Sequence, residues 1–314
     1  MVEINKSIVL HSINTPVLFL VYNRLSHTKK VFETIKISKP PRLYVASDGP
    51  KNIEEDKKRV EDVRNFITNN IDWQCEVKTL FRENNLGCKY ACSEAIDWFF
   101  ANEEKGIILE DDTLPNLSFF KYCEDLLEKY KYDMRVWHIA GNNFHFGWKR
   151  DNDYSYYFGG IYGSIWGWAT WRNRWKHYDV NMKNYKEAVS KKYLENCYDG
   201  SNAVKEKLKD FELIKKGFDT WDIQWTYARW MNNGLTIIPN INLVSNIGFG
   251  KESTHTNFKL DARGDMKNFR IEIPLTHPTL IVRDQISENK FYKDFVKMSL
   301  ISKVIRKIKK ILFN

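Results

Sequence analysis

Gly106–Asn116 reads GIILEDDTLPN, a short aliphatic run that ends in three consecutive carboxylates, Glu110, Asp111 and Asp112. An apolar run of this length closed by polar turn residues predicts a buried strand, here ending at Leu109, with Pro115 stopping its continuation. The acids then sit just past its C-terminal end, the edge at which open α/β sheets bind ligands. A plainer reading makes them an acidic turn capping a helix that starts near Asn116. Three adjacent acids repel one another, which favours a cation or a polyhydroxyl ligand between them.

Upstream, the chain alternates strand and helix patterns. TPVLFLVYNR (Thr15–Arg24) is a strand, and SHTKKVFETIK is a helix with Ser26 as its cap. RLYVASDGP is a second strand ending at Asp48, followed by the charged helix EEDKKRVEDVRNFITN. CEVKTLF is a third strand, CKYACSEAIDWFFAN a third helix, and the run into the acids the fourth strand. This order predicts an α/β fold: a Rossmann-like, mainly parallel sheet flanked by helices, with residues 12–120 as a nucleotide-binding half. No GxGxxG follows the first strand and no Walker lysine loop is present, which argues against a dinucleotide dehydrogenase or a P-loop enzyme.

From Arg135 the texture changes. VWHIAGNNF and YSYYFGGIYGSIWGWATWRNRW are rich in aromatics and glycine, as loops and short strands around a cleft would be; residues 121–265 are read as an acceptor and catalytic half. Trp166, Trp168 and Trp171 read either as a sugar-stacking platform or as core, with Trp166 and Trp168 the candidates for acceptor binding. DTWDIQWTYARWMNNG predicts a helix from Trp221, with Asp219 as its cap and Gly234 as its stop. His138 and His177 read as packing residues.

The composition suits one large domain, residues 1–298: 314 residues, 43% hydrophobic, 28% charged and 15% aromatic. Cys75, Cys88, Cys92, Cys123 and Cys197 lack paired zinc-like spacing and read as reduced thiols of a cytoplasmic protein. The start, MVEINKSIVLHS, lacks the apolar core of a signal peptide, and no stretch approaches a transmembrane span. Much of the formal charge of +9 comes from Lys303, Arg306, Lys307, Lys309 and Lys310; without them it falls by more than half. That speaks against a nucleic-acid partner, which needs basic residues interleaved with aromatics on one face. In residues 299–314, Ile301, Val304, Ile305, Ile308, Ile311 and Leu312 recur at helical spacing, so the tail predicts a basic amphipathic helix. It would lie on an anionic membrane, making the protein peripheral on the inner face, or else dock on the domain.

Taken together, FLVYNR, SDG, EDD, GSIWGWATW, WDIQW and SNIGFGKESTHT, in this order over roughly Thr15–Thr256, resemble GT-A-fold nucleotide-sugar glycosyltransferases, specifically the N-acetylglucosaminyltransferase I family and its bacterial relatives. The resemblance implies a metal-dependent transfer, with inversion, of a sugar from a nucleotide-diphosphate donor such as a UDP-sugar to a hydroxyl of a glycan or lipid-linked saccharide. It makes Asp112 the residue that contacts Mn²⁺ or Mg²⁺ and turns Glu110 and Asp111 toward the donor sugar and ribose. It sets Asp48 on uracil and Arg24 near the donor nucleotide, and places His255 in a loop closing over the diphosphate. Asp222 becomes the general base, with Asp219 its rival, although Ile223 stands where the family often has a second acid. The chemistry asks for such residue types independently: a cation offsets charge growing on a diphosphate, and a placed carboxylate takes the hydroxyl proton. Two other functions use the same features, a noncatalytic carbohydrate-binding protein and a sugar nucleotidyltransferase.

Overall fold

The computed structural model describes residues 12–150, 153–198, 201–249 and 266–297. The candidate His255 and the tail from 299 to 314 lie outside the described residues.

Its centre is an eight-stranded sheet. The first half supplies β1 (Val17–Val21), β2 (Arg42–Ser47), β3 (Glu76–Phe81) and β4 (Lys105–Glu110), joined by α1 (Leu25–Ser38), α2 (Glu54–Asn70) and α3 (Gly87–Asn102). These four strands are parallel, in the order β3-β2-β1-β4. β1 is buried along its whole length, as a strand covered by helices on both faces must be, whereas β3 at the edge is largely exposed. Ser26 does not cap α1, whose N-cap is Arg24 with no side-chain cap bond.

Past the acids the chain does not enter a helix. It runs extended through β5 (Thr113–Pro115), which pairs antiparallel with β10 (Val244–Asn246). Pro115 is therefore the last residue of a strand, and the acidic turn joins two strands instead of capping α4 (Ser118–Lys129). The second half extends the sheet through β6 (Val136–Ala140), β7 (Tyr156–Gly159), β8 (Trp168–Trp171) and β9 (Leu235–Pro239), in the order β4-β8-β6-β9-β7. Of its pairings only β6 with β9 is parallel, so the mainly parallel sheet ends in a mixed half.

The segment WATW, expected to border a cleft, is a central strand inserted between β4 and β6, with Trp168 opposite Ile108. Trp168 is 0% exposed, lies stacked between His138 and Trp221 and belongs to the core beneath α3. It therefore cannot touch an acceptor, and its assignment as an acceptor-binding residue is corrected. His138 is a packing residue, as expected: it accepts the Trp225 indole N–H at Nδ1 and lies 2.8 Å from the Ser164 carbonyl at Nε2. Burial and the nearby Arg229 charge push its pKa down to about 3, so it stays neutral.

Short helices α5 (Arg172–Trp175), α6 (Tyr185–Ser190) and α7 (Tyr193–Asn196) precede α8 (Asn202–Lys215) and α9 (Asp222–Met231). Aromatics of α6, α8 and α9 form a satellite core around Trp230. The helix α10 (Gln285–Phe291) follows a segment that runs beside β7 and continues into a π-helical stretch, Tyr292–Lys297.

Candidate functional site

Parallel pairing brings the ends of β1, β2 and β4 to one edge of the sheet, with Leu20 opposite Glu110 and Val21 opposite Ser47. Arg24, Asp48 and the three acids are therefore neighbours through register alone. Arg24 lies between two of the acids. Its guanidinium pairs with Asp111 through Nη2, donates from Nε to the same carboxylate at 3.3 Å, and reaches Asp112 Oδ2 at 3.0 Å. Gly248, just past β10, lies directly on this pair, because a Cβ there would fall 2.2 Å from Asp112 Oδ2 and 2.9 Å from Arg24 Nη1.

Glu110 receives no such compensation. Its Oε1 is buried with no hydrogen-bond partner. Burial, and then the charges of Asp112, Cys88, Asp111 and Asp222, hold its carboxyl well above the usual carboxylate range. Burial also raises Asp111, against the opposing pull of Arg24. An orphaned carboxylate oxygen among further carboxylates is a donor set for a hard cation, and the residues fit Mn²⁺ or Mg²⁺. Among the described residues no cluster of three or more metal-ligating side chains forms. A cation here would rest on one or two of these acids and complete its shell with phosphate oxygens and water.

Asp48 has a different occupation. Its two oxygens accept from the Gly49, Leu86 and Gly87 amides and from the Asn85 side chain, at 2.9–3.1 Å. Four donor groups match the four lone-pair sites of a carboxylate, which leaves none for a uracil N–H in this conformation. Asp219 is similarly engaged. It does not cap α9; it accepts from the amides of Cys88 at 3.1 Å and Lys89 at 2.8 Å, at the start of α3. Two carboxylates distant in sequence thus complete the positive end of one helix.

Asp222 is the acid left available. It opens α9, is half-buried, and accepts from Thr220 Oγ1 at its Oδ1, while no described residue donates to its Oδ2. It lines a cleft of about 410 Å³ whose walls carry Phe144, His145, Tyr157, Tyr162, Trp166 and Phe291. Trp166, the other acceptor candidate, is half-buried there, edge-on to Phe144 at 5.2 Å. Burial pushes the pKa of His145 down to about 4, so it adds no charge to the wall. The remaining charges are matched: Lys207 with Asp210 at 2.9 Å, Lys209 with Glu206 at 2.7 Å, and Glu288 with Arg283.

Asp222 links this cleft to the acidic turn, since its charge is among those that raise Glu110. The structure therefore groups Arg24, Glu110, Asp111 and Asp112 on one side and Asp222 with Trp166 on the other. Sequence reasoning missed the contribution of α10 altogether. The available signal was Asp284 three residues before Ser287, and Asp284 does accept the Ser287 amide, at 3.0 Å, as the helix cap.

No family model and no curated protein matches the chain. Among solved structures, HddC from Yersinia pseudotuberculosis is similar at 13% identity and a TM-score of 0.32, over 52% of this chain and 80% of that one. An apo UDP-glucose pyrophosphorylase is similar at 12% identity and a TM-score of 0.37, over 74% and 93%. The inositol-1-phosphate CTP transferase from T. maritima is similar at 7% identity and a TM-score of 0.38, over 73% and 86%. Likenesses of this order do not bear on the chemistry of the site, which rests on its own geometry.

Proposed function

We propose that this chain is a GT-A-type glycosyltransferase that moves a sugar from a nucleotide-diphosphate donor, a UDP-sugar in the first instance, to a hydroxyl of a glycan or lipid-linked saccharide. The observation that carries the reading is Asp222. Among the described residues it is the one carboxylate lining the aromatic cleft without an ion-pair partner, and its charge is among those that raise Glu110 at the end of β4. Thr220 fixes Oδ1, so Oδ2 is the atom that takes the proton from the acceptor hydroxyl. As that proton leaves, the acceptor oxygen bonds to the anomeric carbon, and the bond to the diphosphate breaks with its electron pair on the leaving group. A single displacement inverts the anomeric centre.

Asp112 would hold the Mn²⁺ or Mg²⁺, with Glu110 beside it, and the bound cation supplies positive charge where the diphosphate departs. Arg24 pairs with both Asp111 and Asp112 and adds cationic charge to the donor side. Trp166 and the neighbouring rings offer apolar faces to the acceptor sugar. The basic tail fits the same reading by bringing the enzyme to a lipid-linked acceptor at an anionic membrane.

A sugar nucleotidyltransferase would share the nucleotide half and the cation. The path after β1 favours transfer of the sugar: Tyr22–Asn23–Arg24 leads straight into α1 with no glycine-rich loop to cradle a triphosphate. The test is a panel of nucleotide sugars with Mn²⁺ and saccharide acceptors. Release of nucleoside diphosphate with a glycosylated product supports the proposal. Pyrophosphate formed from a nucleoside triphosphate and a sugar phosphate establishes the nucleotidyltransferase, and binding without turnover establishes a carbohydrate-binding protein.

A further inference from the structure

We infer that Glu288 of α10 is a positioning residue for the acceptor side of the cleft, a role that rests on the assignment of that cleft to the saccharide. Glu288 is 2% exposed and comes from a segment more than 120 residues beyond the loop it holds. Its Oε1 accepts from three consecutive amides, Gly160 at 2.8 Å, Ile161 at 2.6 Å and Tyr162 at 3.3 Å, while Oε2 accepts from Arg283 Nε. Successive backbone amides turned toward one point form an anion nest, and here the chain fills it with its own carboxylate.

The loop is shaped for that carboxylate. A Cβ at Gly159 would lie 3.3 Å from Glu288 Oε1 and 2.8 Å from Ile238 Cδ1, and one at Gly160 would meet Tyr198 at 2.5 Å. Beyond the nest, Tyr162 through Trp166 form one wall of the cleft. Gly163 backs onto α9, where a Cβ would meet Arg229 Nη2 at 2.8 Å. The loop is thus pinned between α10 on one side and α9, the helix of Asp222, on the other. Phe291, one turn beyond Glu288, adds to the same wall and packs edge-on against Tyr162 at 4.5 Å. Releasing the nest frees Trp166 to shift relative to Asp222. It leaves the acids at the end of β4 untouched, since among the described residues no hydrogen bond or ion pair joins them to α10.

The experiment uses the full chain with Glu288→Ala and Glu288→Gln. Hydrogen exchange is followed at residues 159–166, UDP affinity in Mn²⁺ by calorimetry, and binding of a panel of methyl hexosides by saturation-transfer NMR. Glu288→Ala is expected to speed exchange of the 160–162 amides by ~10-fold or more and to weaken hexoside binding by a similar factor. UDP affinity should stay within about twofold of wild type, a split that a general loss of fold would not produce. Glutamine keeps the shape and an accepting oxygen but loses the charge, so its effect is intermediate, about threefold, and it supplies the reading if the alanine variant does not fold. Hexosides that bind wild type and both variants alike refute the role of Glu288 and leave the cleft assignment standing. UDP affinity that falls in step with hexoside affinity refutes it as well. Wild type that binds UDP but no hexoside refutes the cleft assignment, and this inference with it.

Discussion

Replacing Arg24 with methionine removes the one cation among the described residues that pairs with both Asp111 and Asp112, and keeps most of the apolar stem. The three side chains are 17%, 4% and 16% exposed, so the pairs are largely withdrawn from water. Removing one partner of a buried pair costs about 3–5 kcal/mol, because the other charge stays behind unpaired. Here the lower end applies, since Arg24 and Asp112 keep some solvent contact. A loss of about 3 kcal/mol lowers the melting temperature by about 6–12 °C, at roughly 2–4 °C per kcal/mol. Asp112 is also the proposed cation seat, with Glu110 beside it, so Mn²⁺ should restore the variant more than it helps wild type. At a hundredfold excess over its Kd, a cation contributes about 2.7 kcal/mol, close to the loss. The assay is thermal unfolding at neutral pH with and without Mn²⁺, with Arg24→Lys, which keeps the charge but not the planar fork, expected to fall between. An Arg24→Met protein as stable as wild type in the absence of metal would show that the pair contributes nothing. Equal stabilisation of both proteins by Mn²⁺ would show that these acids do not hold the cation.

Further outcomes follow from the same geometry. Asp222→Asn should leave UDP affinity near wild type and lower turnover by ~10²-fold or more, while Asp219→Asn should cost about 1–2 kcal/mol of stability through α3 and spare the chemical step; the reverse result in paired kinetics and unfolding would exchange their roles. Trp168→Ala should destabilise by about 3–5 kcal/mol, whereas Trp166→Ala should change stability far less and weaken saccharide binding, as read by denaturant titration and NMR. Gly248→Ala forces a methyl group onto Asp112 and Arg24, and calorimetry should find metal-dependent UDP binding reduced by ~10-fold or more. Deleting residues 300–314 should abolish binding to anionic vesicles at low salt and leave activity on a soluble acceptor intact; vesicle binding that survives the deletion removes the tail from the membrane.

The sequence by itself determined the first half of this protein. Aliphatic runs and helical periodicity are local signals, and β1, α1, β2, α2, β3, α3 and β4 lie where those patterns put them. Parallel register then brings Arg24, Asp48 and Glu110 to one edge, so the acidic turn was legible as a candidate site before any contact was known. What each carboxylate does was not legible, because a carboxylate is defined by the donors that reach it. Asp48 and Asp219 are consumed by the amide end of α3 and Glu288 by the amides of residues 160–162, whereas Asp222 alone of the cleft carboxylates has no ion-pair partner among the described residues. Trp166 and Trp168 show the same division. Both belong to one aromatic string, but Gly167 adopts a φ of 64° between them, so the strand begins at Trp168 and Trp166 stays outside it. Trp168 is then enclosed because β8 joins the sheet between β4 and β6, strands drawn from opposite halves of the chain. Local pattern fixes what an element is, whereas which side chain meets a ligand depends on partners that only the folded chain brings within hydrogen-bond reach.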